Sequence, residues 1–219
     1  MDSGARSCSD CKILACAKGS AAYPPFCPTK AQAASGGDAC ASSYDGDGLA
    51  AAIMGAASQV GTEAFDRRWC RVEETIAFFR AMGWRRIGIA SCAGLHAEAR
   101  IFARILEAKG FEPVAVCCKV GALPKSRFDA PESCCDFGAV SCNPIMQARA
   151  LADAGTQANV AIGLCVGHDM LFARHSAAPL TTLVAKDRAL FHNPVGALYA
   201  AETSSFYSTL LKPDGRGCC

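Results

Sequence analysis

The chain has 219 residues, 51% of them hydrophobic and 19% charged, the balance of a globular protein with one large domain or a core domain and a small appendage. Its 22 basic and 20 acidic residues leave a net charge of +2, so neither nucleic acid nor an anionic membrane is an expected partner. No apolar run approaches the roughly 18–20 residues of a membrane span and the N-terminus lacks the apolar stretch of a secretory signal, so a cytoplasmic location is expected.

Cysteine is the outlier, with 15 residues. A short secreted scaffold stapled by disulfides would explain that richness, but this chain is neither short nor signal-bearing. In a reducing compartment, thiols at motif spacing serve metals or redox chemistry. The odd count also argues against every cysteine being paired in disulfides.

In chain order, residues 1–48 are rich in Gly, Ala, Ser and Pro and form a cysteine-rich metal- or cluster-binding segment. Its motif is Cys8-x2-Cys11-x4-Cys16-x10-Cys27-Pro28. A Cys-x2-Cys pair lets the chain fold back on one ion, and two further thiolates complete a tetrahedral site or a cluster cage. The segment has too few large apolar residues for a core, a lack that a metal would make good. Zinc and iron–sulfur both fit four thiolates. Cys40 is expected in a loop and receives no role.

Residues 49–219 read as a helical lead-in and an α/β domain. From residue 49 to 82 the pattern is mainly helical, with Trp69, Val72, Ile76 and Phe79 on one stripe and Gly83 as a stop. Cys70 is one position off that stripe and reads as a packed small hydrophobe. A β-rich run over residues 86–91 then ends on Cys92. A helix follows over residues 95–109, closed by Gly110. The next short run, residues 113–116, ends on Cys117-Cys118. Asn143-Pro144, after Cys142, is a helix start, an N-cap followed by proline. The run from Asn159 stops on Cys165, turns over Gly167 and presents His168 and Asp169. A short helix to His175, a strand over residues 180–186 and a helix over 195–202 complete the order.

Alternating strands and helices predict a mainly parallel sheet with flanking helices. Right-handed crossovers place the carboxyl ends of its strands on one edge. Cys92, Cys117 or Cys118, Cys142 and Cys165 would meet there as a second, cofactor-binding site. His168 is a candidate ligand or acid–base group beside them. Lys186 and Arg188 end a strand at the same edge, suited to an anionic group of a small-molecule substrate. There is no dinucleotide fingerprint and no phosphate loop.

Several segments resemble one family. They are residues 91–99 (Ser-Cys-Ala-Gly-Leu-His-Ala-Glu-Ala), 117–121 (Cys-Cys-Lys-Val-Gly), 142–145 (Cys-Asn-Pro-Ile), 163–172 (Gly-Leu-Cys-Val-Gly-His-Asp-Met-Leu-Phe) and 186–194, together with Cys8, Cys11, Cys16 and Cys27. The family is one of small cysteine-rich proteins carrying a domain of unknown function, described as predicted metal-binding proteins and found largely in anaerobes. The resemblance implies a metal and no settled reaction. The expectation is a metal-binding protein of anaerobic metabolism that carries one or two 4Fe-4S iron–sulfur clusters. It would act as a redox partner of another protein or as a small-molecule cluster enzyme with an open iron, sulfur handling being one such chemistry. The rival expectation is a metal carrier or sensor, without turnover, holding structural zinc.

Overall fold

A computed structural model describes residues 7–35, 38–46, 48–128 and 138–213. The cysteine pairs at 134–135 and 218–219 lie outside the described residues. The chain divides into two compact units, Met1–Glu63 and Ala64–Cys219.

The first unit is made of short pieces. Two 3-10 turns, Cys8–Asp10 and Ala15–Lys18, precede helices α1 (Pro28–Ala34) and α2 (Asp38–Ala41) and the start of α3 (Leu49–Arg67). Ser7 and Asp10 close the first turn reciprocally, Ser9 N donating to Ser7 Oγ and Ser7 N to Asp10 Oδ2. Pro28 opens α1 at a position where its missing N–H costs nothing. Among the described residues of this unit, only Ala15 and Val60 are buried hydrophobics. That is too little apolar burial to offset the entropy of ordering such a chain.

The second unit holds the sheet. The helical stretch expected over residues 49–82 is two helices, α3 and α4 (Arg71–Ala81). The break has a local cause: Arg68 is left-handed (φ 54°), and Trp69 N reaches back to Ala64 O, a closure that ends helices. Strand β1 (Arg86–Ser91), helix α5 (His96–Ala108), β2 (Glu112–Cys117), α6 (Pro144–Asp153), β3 (Ala158–Ile162), α7 (His168–His175), β4 (Leu180–Val184) and α8 (Val195–Ala201) follow. The sheet order is β2-β1-β3-β4 and every pairing is parallel. In β1 five consecutive residues from Ile87 are buried, and in β3 all five are. Successive side chains face opposite ways, so both faces of the sheet are covered.

The apolar faces of α5 (Ala99, Phe102, Leu106) and α6 (Ala148, Leu151) join Ile87, Ile89, Val160 and Ile162 in one core. One polar cluster lies inside it. Gly88 is paired with Asn159, and a side chain at Gly88 would overlap the Asn159 amide. That amide accepts from Thr156 Oγ1 at 2.9 Å and donates to Ser176 Oγ at 2.8 Å, so this buried polar group has the partners it needs.

The chain runs from β1 outward to β2, then crosses back to β3 on the other side of β1. The β1/β3 boundary is therefore a topological switch point, where open α/β sheets bind ligands beyond their strand ends.

Candidate metal centre

The carboxyl edge of the sheet is where the thiols gather. Cys92 N donates to Ile162 O (3.0 Å) and Cys118 N to Ser91 O (2.8 Å), so each cysteine sits just past a paired strand. Asn143 N donates to Cys118 O (2.8 Å), which ties the segment carrying Cys142 beside β2. The Asn143 side chain accepts from Met146 N (3.1 Å) and starts α6 there. On the far side of the switch point, β3 stops at Ile162 and Gly163 (φ 61°) turns the chain. Cys165 O then accepts from His168 N and Asp169 N at the start of α7.

The contacts link these cysteines. Cys118 Sγ and Cys142 Sγ are 3.5 Å apart, and Ala93 N donates to Cys118 Sγ at 3.2 Å. Lys186 Nζ lies 2.7 Å from Cys92 Sγ, and Arg188 Nη2 lies 3.4 Å from Cys165 Sγ. Cys92 and Cys118 are buried; Cys142 and Cys165 are half-buried. Gln147 underpins the group: its Nε2 donates to Ser91 O (3.1 Å) and Val116 O (2.8 Å) and so clamps the ends of β1 and β2.

The thiols do not ionise alike. The hydrogen bond with Cys118 brings Cys142 down to about 7, against the effect of burial and aided by the Lys119 ammonium. Its partner Cys118 is pushed up, chiefly through the same bond. Cys92 is pushed up to about 12 by its bond with Cys118 and by burial, which together outweigh the Lys186 ammonium. A lowered pKa means a thiolate near neutrality, and the thiolate is the form that alkylates. In metal-free protein, iodoacetamide should therefore label Cys142 ahead of Cys92. Peptide mapping should show Cys142 labelling rise as pH passes through about 7, while Cys92 stays protected until strongly alkaline pH. Labelling of Cys142 with the midpoint of an ordinary thiol would contradict this arrangement.

The expected site residues are distributed as follows. Cys92, Cys118, Cys142 and Cys165, with Lys186 and Arg188, stand together at the strand ends. Cys117 is the last residue of β2, paired with Ser91, and the sulfur that meets Cys142 is that of Cys118. His168 is the first residue of α7, half-buried and three residues from Cys165. Outside that expected set, His192 is used within its own turn, its Nδ1 accepting from Asp187 N at 3.0 Å. Two members are not among the expected site residues: Lys119, inside the Cys-Cys-Lys-Val-Gly segment, which acts on Cys142, and Gln147, a lone amide on an otherwise apolar helix face.

In the first unit, Cys8, Cys11, Cys16 and Cys27 line one hollow of about 350 Å³, its open mouth included, with Leu14 and Tyr23. Cys27 stands at the N-cap of α1, and the Thr29 hydroxyl and the backbone N–H groups that follow draw its thiol below the usual value, against desolvation. Among the described residues no three His, Cys, Asp or Glu side chains converge closely enough to hold an ion. The strand-end thiols stand as successive neighbours rather than round one centre. Their donor chemistry nonetheless suits soft, thiophilic metals and iron–sulfur clusters and no oxygen-seeking cation.

Over residues 27–183 the sequence matches the family described as "Protein of unknown function (DUF1847)". The chain belongs to that family. The matched stretch contains Cys27 and all the strand-end cysteines, whereas Cys8, Cys11 and Cys16 precede it and Lys186 and Arg188 follow it. A relative outside this chain is "Uncharacterized protein MJ0455" of Methanocaldococcus jannaschii, 47% identical over 129 residues. That alignment covers 59% of this chain and 66% of the relative, so the chain spans a little less than two thirds of the relative's length. No solved structure matches. No helix among the described residues is long and apolar enough to cross a membrane.

Proposed function

We propose that this DUF1847 protein is a metal-binding protein whose working centre is a thiophilic metal site at the carboxyl edge of the sheet, an iron–sulfur cluster in preference to zinc. The observation that carries the reading is the gathering of Cys92, Cys118, Cys142 and Cys165, from four separate segments, at the switch point of a parallel sheet. These four thiols would hold the group. Bound there, a cluster supplies electron transfer when four thiolates engage it and a Lewis-acid iron when three do. The chain's own residues hold the thiols in place: Gln147 fixes the strand ends, and the backbone N–H of Ala93 steadies Cys118.

Burial of Cys92 and Cys118 favours a retained cofactor, and so a redox partner or a small-molecule enzyme, over a carrier that hands its metal on. Cys8, Cys11, Cys16 and Cys27 form a second site in the first unit. There a metal replaces the missing apolar core, and zinc serves as well as a cluster.

Protein purified without oxygen should be brown and contain iron and acid-labile sulfide, with roughly eight iron atoms per chain if both sites hold 4Fe-4S clusters. Colourless protein with zinc in both sites would reverse the preference for iron. A folded protein with neither metal would end the reading.

A further inference from the structure

Two cations stand on the thiols of the strand-end centre, and among the described residues neither makes a salt bridge with a carboxylate. Lys186 Nζ is 2.7 Å from Cys92 Sγ and Arg188 Nη2 is 3.4 Å from Cys165 Sγ. The salt bridges among the described residues, Arg86–Glu112 and Arg149–Asp153, involve neither of them. Between the two lies Asp187, and its carboxylate is engaged elsewhere, accepting from Ala189 N and Leu190 N at 2.9 Å each. Just past the end of β4 the chain thus sends alternate residues to the thiols and turns the intervening acid into its own loop. Lys186 and Arg188 touch the thiols that flank the switch point, one after β1 and one after β3.

Four thiolates round a dication leave two negative charges in a partly buried place, a cost that neighbouring cations offset. We infer that Lys186 and Arg188 are positioning residues of the centre: each holds a ligand sulfur by an N–H contact, and together they balance the charge left by the metal–thiolate group. This rests on the metal reading of the strand-end thiols. It makes the second half of the centre, the part that stabilises the loaded form, a property of the segment after β4. Outer groups that hold metal ligands commonly change metal affinity about 10–100-fold when removed.

The test uses full-length protein in which Cys8→Ser and Cys11→Ser leave the strand-end thiols as the reporting site. Zinc affinity is measured by competition with a chromophoric chelator. The potential of a reconstituted iron–sulfur cluster is measured separately. Lys186→Met should weaken zinc binding about 10–100-fold, and Lys186→Arg should recover most of the loss. Arg188→Met, at an exposed and more distant cation, should give a smaller loss in the same direction. Either loss of charge should also move the cluster potential to more negative values, since a nearby cation favours the more negative reduced state. Arg86→Met, which removes a cation from the amino end of β1, should change neither readout. Arg188 is on the surface, so its variant remains informative should Lys186→Met fail to fold. A loaded parent protein whose Lys186 and Arg188 variants all match Arg86→Met overturns this inference alone. A parent that binds neither zinc nor a cluster overturns the metal reading and this inference with it.

Discussion

Cys118→Ser should empty the strand-end centre while its neighbour Cys117→Ser leaves it filled. Cys118 is buried, within 3.5 Å of Cys142 and hydrogen-bonded to Cys92, so it joins the thiols on the two sides of the group. Serine keeps the size of the side chain and removes the soft thiolate that a thiophilic metal requires. Iron in anaerobically purified protein should fall by roughly four atoms per chain in the first variant, and whatever metal the N-terminal site holds should remain. The fold should survive, because Cys118 shares its core with Ile87, Ile89, Val160 and Leu151 but serine is close to it in size and its hydroxyl can still accept from Ala93 N. Equal iron in the Cys118→Ser variant and the parent would remove Cys118 from the ligand set. A loss in Cys117→Ser as large as in Cys118→Ser would mean that the two exchange roles when metal binds.

Gly163→Ala should be the most damaging single-methyl change near the centre. Gly163 ends β3 in the left-handed region (φ 61°), where a side chain is strained. A Cβ there would also overlap Leu95 Cδ1, and Leu95 is buried in the turn that follows Cys92. Backbone strain and overpacking each cost about 1–3 kcal/mol, so a loss of about 2–6 kcal/mol is expected in denaturant unfolding. The same push separates the turn after Cys92 from the turn before Cys165, so metal content should drop with stability. A variant less than about 1 kcal/mol weaker than the parent, with its metal intact, would show that the close approach of Gly163 and Leu95 is not required.

Much of the fold is legible locally. The apolar run that makes β1, the Asn143-Pro144 start of α6 and the glycine after α5 are short-range signals, set by side-chain entropy, capping and left-handed backbone, and each element stands where they point. Alternation of these elements is enough to give a parallel sheet, since parallel neighbours require a helical crossover. It also places Cys92 and Cys117-Cys118 at strand ends. The end of β3 is less legible: the apolar run reads on to Cys165, but the strand stops at Ile162 because Gly163 takes a left-handed turn that hydrophobicity does not encode.

The site itself depends on contacts far apart in the chain. Nothing in Cys117-Cys118 says which sulfur faces Cys142; the choice is made by the backbone bond from Asn143 N to Cys118 O. Gln147 looks like a polar residue on an amphipathic helix until α6 packs against the ends of β1 and β2. Lys186 meets Cys92 across 94 residues of chain only because β3 lies beside β1 and β4 beside β3 in the order β2-β1-β3-β4. Local sequence determined where β1 and β2 end, through propensities and caps acting over a few residues. Only the tertiary structure decided which of those ends meet, because strand order is set by burying both faces of the sheet, a condition satisfied by the whole chain at once.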